Sequence, residues 1–405
     1  MATAALRTAV PKVADAAAKF QCRTFFDVSP NIVKPYFLGH HVKALRDMSS
    51  MLANIDVVIE CRDSRVPQTS ANPLLEKTLA VRKYILAFTK GDLSGNSGGG
   101  GGAAGFRARR EALTKSVAVA PGERERPHVA LLSTKDRHSA LALLNTIKAL
   151  AAQRAQHSVL PLRALIVGMP NSGKSTLLNT LRKHGTVRLN KVAATGAMPG
   201  VTRKLSSPVC IVLPTRSAAP PSSPSAPSIE KSSAAAPSPS PREPDVGDGV
   251  YVHDTPGVFI PHVSSPTAML KLSLVGCIKD GTVPAEVLAD YLLFRMNLLD
   301  PGLYAQYCPE PTNDVDAFLD AVGRCTGKLG RGGAPSRQKT AEWVVERYRN
   351  GHLGRFCLDD YPHPSLREVA PPRQGRFSSM SAAVKADKER RAAKRAKGRI
   401  RSAAE

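Results

Sequence analysis

The sequence predicts an α/β fold: a doubly wound, mostly parallel sheet, followed by a smaller all-helical C-terminal domain. Three observations carry this. Short apolar, β-branched runs alternate with helical stretches through the first two thirds of the chain. One of these runs leads straight into a glycine-bearing loop that opens a helix. After about residue 265 the pattern turns to helices only.

Strands are expected at 55–61, 84–88, 129–132, 163–167, 209–213 and 249–253. Pro208 stands where a strand can start without losing a ladder bond. Helices are expected at 140–153 and 175–183, then at 269–278, 285–297, 314–326 and 339–350.

Three segments cannot bury a core. Residues 94–105 contain five consecutive glycines and read as a flexible insertion. Residues 214–249 are dominated by Pro, Ser and Ala and read as a second one. Between Lys385 and Arg401 there are nine Lys/Arg against two acids, the composition of a solvated basic tail. The expected organisation is a targeting segment over 1–30, the sheet domain over 31–262, a helical domain over 263–365 and a basic disordered tail over 366–405.

The chain has 405 residues, 42% of them hydrophobic, which is ample for two or three domains. No apolar run approaches the ~20 residues a membrane span needs. The seven cysteines have no CxxC spacing, which argues against zinc, and their odd number in a long chain argues against a disulfide framework. The formal charge of +24 calls for a polyanionic partner, either nucleic acid or an anionic membrane surface. The first 26 residues are alanine-rich, with Arg7, Lys12, Lys19 and Arg23 against the single acid Asp15. That is the character of a mitochondrial targeting peptide.

The loop Gly168-Met-Pro-Asn-Ser-Gly-Lys-Ser175 has the P-loop pattern. Its glycines let backbone N–H groups turn towards phosphates. Lys174 reaches the β- and γ-phosphate oxygens, and Ser175 offers a hydroxyl to Mg²⁺. Asn171, Ser172, Gly173 and Thr176 complete the expected nucleotide contacts. Asp254-Thr-Pro-Gly257 ends a later strand, so Asp254 is expected at Mg²⁺ and the Gly257 amide at the γ-phosphate. Thr202, between the two, is the candidate switch threonine that closes on Mg²⁺.

A guanine base presents N1–H and an exocyclic amine, which a carboxylate can accept together. The candidate is Asp92 in Thr89-Lys90-Gly91-Asp92, at the end of the 84–88 strand. Ser133 ends the next strand, where a backbone amide is placed to meet the guanine oxygen. These base-reading elements precede the phosphate elements in the chain.

That order resembles the circularly permuted GTPases that assist ribosome assembly. Phe37-Leu-Gly-His40 is similar to the family's opening Gly-His helix, and Asp63-Ser-Arg-Val-Pro67 to its Asp-Ala-Arg-x-Pro segment. Lys271 to Gly281 and Gly351-His-Leu-Gly-Arg355 resemble the start and end of its helical domain. With the N-terminal targeting character, the nearest likeness is to the mitochondrial ribosome-associated branch. The resemblance implies a GTPase that matures the large ribosomal subunit, with rRNA as partner. It also implies His40 as a group assisting hydrolysis and K⁺ as a second cation, with Asn171 as ligand. Two departures matter. Thr89 stands where the motif has Asn and can make fewer bracing bonds. Val258 follows Gly257 where many GTPases have a water-orienting glutamine, so turnover is expected to be slow alone. A slow or non-hydrolysing GTP-binding scaffold at the inner mitochondrial membrane is the alternative.

Overall fold

The computed structural model describes residues 20–28, 50–72, 83–95, 103–116, 127–186, 207–215, 246–257, 265–330 and 332–359. His40, Thr202, Val258 and the basic tail lie outside these residues.

Six strands form one sheet: β1 (Val57–Asp63), β2 (Lys83–Thr89), β3 (His128–Leu131), β4 (Leu162–Gly168), β5 (Val209–Val212) and β6 (Val250–Asp254). Their spatial order is β3-β2-β1-β4-β6-β5. All neighbours are parallel except β5, which runs antiparallel to β6. β1 and β4 occupy the middle, and β1 is buried along its whole length. This suits the apolar runs 57–59 and 164–167 within them, since a central parallel strand has both faces covered. From β1 the chain moves outward through β2 to β3, and from β4 it moves the other way to β6. The connections therefore diverge between β1 and β4, where such sheets place their ligands.

Three helices belong to the sheet: α1 (Ala103–Ser116), α2 (Arg137–Ala155) and α3 (Lys174–Gly185). Asp136 caps α2 by accepting from the amides of His138 and Ser139. α2 and α3 bury Leu143, Ile147, Leu178 and Leu181 against one face of the sheet. α1 anchors through Leu113, packed with Leu86, Phe88 and Leu131.

The rest is helical: α4 (Pro266–Leu274), α5 (Ala285–Leu299), α6 (Val315–Thr326) and α7 (Arg337–Arg349). α4 was expected to reach Ile278. It stops earlier because Gly276 takes φ +80° and turns the chain. These helices share a core that includes Val66 from the loop after β1 and Met169 from the loop after β4. The helical part therefore packs directly on the loops at the C-terminal edge of the sheet.

The segments expected to be unstructured are partly built in. Ala103 already lies in α1, and Ser94 is buried with its hydroxyl on the Gly91 carbonyl. At the second insertion, Thr215 N donates to Gly247 O and Val246 N to Thr215 Oγ1, which ties its two ends together. Residues 20–28, inside the expected targeting segment, pack on the helical part. Phe26 meets Tyr291 and Phe294, and Arg23 pairs with Asp290 at 2.6 Å.

Candidate nucleotide-binding site

A cleft of about 1020 Å³ opens at the C-terminal edge of β4, between the sheet and the helical part. One wall carries Lys90, Asn171, Gly173, Lys174, Ser175, Thr176 and Gly257. The other is formed by the 275–286 segment and by α7.

The 168–175 loop can adopt its curl only with the residues it has. Gly168 has φ +143°, and a Cβ there would lie 2.3 Å from the Cys61 carbonyl. Gly173 has φ +88° and caps α3, so the first helical amides face the cleft. Lys174 is only 6% exposed, and its Nζ donates to Met169 O at 2.7 Å across the loop. Burial pushes the Lys174 pKa down, while Asp254 works against that shift. Ser172 is fully buried, and its Oγ has no hydrogen-bond partner among the described residues.

Ser175 Oγ donates to Asp254 Oδ2 at 2.6 Å, which brings the two proposed metal ligands together. Burial raises the Asp254 pKa, and the Ser175 bond and the Lys174 charge oppose that rise. A hydroxyl and a carboxylate oxygen side by side suit a hard divalent cation, and such a cation would hold Asp254 ionised. Thr255 hydrogen-bonds the Ile166 carbonyl at 2.8 Å, fixing the turn beneath β4.

Gly257 lies hard against the phosphate loop. A Cβ on it would stand 2.6 Å from Pro170 N. Overpacking of this kind costs about 1–3 kcal/mol. Gly257→Ala is therefore expected to weaken binding of a GTP analogue by roughly 5- to 150-fold in a fluorescent-nucleotide titration.

At the ends of β2 and β3 the arrangement is equally specific. Asp92 Oδ1 accepts from Ser133 Oγ at 3.0 Å, and Oδ2 pairs with Lys135 Nζ at 3.1 Å. The Ser133 amide is engaged by Ser139 Oγ at 3.2 Å, so it is the Ser133 hydroxyl that aims the carboxylate. Gly91 N donates to Leu132 O, which pins the 89–92 turn to the end of β3. Thr89 Oγ1 lies 2.7 Å from the Ser172 carbonyl and 3.2 Å from the Arg62 carbonyl. The shorter side chain thus still braces the phosphate loop. Lys90 Nζ bridges Asn171 O at 2.9 Å and Asp63 Oδ2 at 2.8 Å.

Two connections were not legible beforehand. The Asn171 side chain donates to the Gly276 carbonyl in the helical part, at 2.8 Å. The buried Asp63–Arg65 pair joins the end of β1 to the helical part, where Arg65 donates to the Arg349 carbonyl.

The 50S ribosome-binding GTPase family model matches residues 163–283. Mitochondrial GTPase 1 of Schizosaccharomyces japonicus is 32% identical over 339 residues, spanning 80% of this chain and 89% of that protein. The chain belongs to the mitochondrial GTPase 1 family of circularly permuted GTPases. Mitochondrial ribosome-associated GTPase 1 of Xenopus tropicalis is 24% identical over 352 residues, with 83% and 98% covered. Ribosome biogenesis GTPase A of Bacillus cereus is 28% identical over 338 residues, with 81% and 94% covered. The permutation of this GTPase is visible in its connectivity: the loop bearing Asp92 follows β2, whereas the P-loop follows β4. Asp254 ends β6, two positions across the sheet from β1.

Proposed function

We propose that this GTPase is an assembly factor for the mitochondrial large ribosomal subunit, binding rRNA and hydrolysing GTP to GDP and phosphate. One observation carries most of the reading. Asp92 and the P-loop lie at the C-terminal edge of the same sheet, and the helical part forms the facing wall of the cleft. The names of the relatives support the ribosomal and mitochondrial assignment.

In this reading Asp92 accepts the guanine N1–H and amine, held by Ser133 and Lys135. Thr89, Lys90 and Gly91 carry the turn, while Ser172, Gly173 and Thr176 line the phosphates. Lys174 exchanges its bond with the Met169 carbonyl for phosphate oxygens, and the phosphate charge reverses its lowered pKa. Ser175, Asp254 and Thr202 would hold Mg²⁺, which would neutralise phosphate charge when bound. Asn171 would offer its amide oxygen to K⁺. Valine at 258 cannot orient water, so His40 is assigned that task, and turnover is slow until the ribosomal partner completes the site.

The basic tail and helical surface would meet rRNA phosphates electrostatically, without sequence readout. No helix among the described residues is long and apolar enough to cross a membrane. A peripheral contact with the inner membrane from the matrix face would use the same basic charge.

The test is sedimentation of the tagged protein from mitochondria with GDP and with a non-hydrolysable GTP analogue. Co-sedimentation with the large subunit in the GTP-like state is expected. Absence from the large subunit in both states would overturn the assignment. Recovery with membranes instead would favour a GTP-binding scaffold.

A further inference from the structure

We propose that Arg349 is a positioning residue for the phosphate loop, through which the helical part sets how tightly the P-loop grips nucleotide. This rests on the assignment of the 168–175 loop as the phosphate site.

The structural chain is short and continuous. Asn171 Nδ2 donates to Gly276 O at 2.8 Å. Gly276 sits in the sharp turn that ends α4, with φ +80°. That turn is held from below by one side chain. Arg349 Nε donates to Leu274 O at 3.0 Å, and Nη2 donates to Ser273 O at 2.8 Å. The same guanidinium packs beneath Gly276, where a Cβ would lie 3.5 Å from Nε. Asp280 fixes it from the outside at 2.7 Å.

A second route ends on the same residue. Lys90 holds the Asn171 carbonyl and Asp63, Asp63 holds Arg65, and Arg65 donates to the Arg349 carbonyl at 3.3 Å. Both the side chain and the backbone of Asn171 are thus tied, by different paths, to one position at the end of α7. Met169, two residues earlier, lies in the hydrophobic core of the helical part. A P-loop braced in this way loses less conformational freedom when phosphates arrive.

Arginine is required because its planar fork can reach two successive carbonyls and a carboxylate at once. Lysine keeps the charge but cannot span all three. Loss of the fork frees the 273–276 turn, and the Gly276 carbonyl then no longer holds Asn171 Nδ2 in a fixed place.

The test is a double-mutant cycle on GDP affinity in the full chain, followed with a fluorescent nucleotide. Arg349→Ala is expected to raise Kd about tenfold, and Arg349→Lys by less. In an Asn171→Ala background, Arg349→Ala should add no more than about twofold, because the route it acts through is already cut. A merely structural arginine would give additive effects, or a lower Tm with unchanged Kd, and either result overturns the proposal. If Arg349→Ala does not fold, Arg349→Lys carries the same cycle. If the wild-type chain binds no GDP at all, the phosphate-site assignment itself fails. Wild-type affinity in Arg349→Ala would instead sink only the positioning role.

Discussion

Asp92→Asn is expected to weaken GDP binding by roughly 10²- to 10⁴-fold and to make xanthosine diphosphate the better ligand. The carboxylate offers two acceptor oxygens, and its orientation is set by Ser133 Oγ at 3.0 Å and Lys135 Nζ at 3.1 Å. Guanine would donate to it twice, through N1–H and through the 2-amino group. Charge-assisted bonds of this kind contribute about 1.5–3 kcal/mol each. Asparagine keeps one acceptor and replaces the other with an NH₂ group, which meets the guanine amine donor against donor. Xanthine carries an oxygen at that carbon, so the same NH₂ becomes a partner. Losing the Lys135 pair adds little, since that lysine is well exposed. Nucleotide titrations with the two diphosphates decide the matter. Unchanged GDP affinity in the variant would mean that the base is read elsewhere.

The central strands and the phosphate loop were legible because local rules sufficed. A buried parallel strand favours apolar residues on both faces, and a loop that wraps phosphates favours glycine where φ is positive, as at Gly168 and Gly173. β1 was expected over 55–61 from its apolar run, but the strand continues through Arg62 and Asp63. Both are in fact buried, Arg62 against Glu60 and Asp63 against Arg65, and a sequence does not reveal that a charge is paired. α1 was missed after the glycine run because it buries so little: among its described side chains, only Leu113 is fully enclosed. The Arg23–Asp290 pair and the Asn171–Gly276 bond join residues 267 and 105 positions apart. No periodicity links such positions. They follow only from the way the helices seat on the sheet edge, and that seating is the part of the site a single sequence conceals. The placement of Asp92 was legible for the opposite reason, since it depends on the end of one strand.

Asp63→Asn is expected to destabilise the protein by about 3–5 kcal/mol, the cost of leaving one charge of a buried pair uncompensated. Asp63 is fully buried and accepts from Arg65 N at 3.0 Å, Arg65 Nε at 3.0 Å, Arg65 Nη2 at 2.8 Å and Lys90 Nζ at 2.8 Å. Arg65 is 1% exposed and lies over the Tyr348 ring in the helical part. Asparagine is nearly the same size, so the variant removes charge rather than volume. Burial alone would raise the Asp63 pKa, but the charges of Arg65 and Lys90 outweigh it and hold the carboxyl well below its usual range. A group depressed in the folded state contributes stability above its unfolded pKa of about 4 and loses it as pH falls towards the folded value. Urea unfolding of the wild type should therefore weaken below about pH 4, and part of that acid sensitivity should be missing in Asp63→Asn. Nucleotide affinity should fall as well, because Lys90 would lose the anchor that holds it on the Asn171 carbonyl. A loss below about 1 kcal/mol at neutral pH would place Asp63→Asn among ordinary substitutions and show that Arg65 is neutralised by other means.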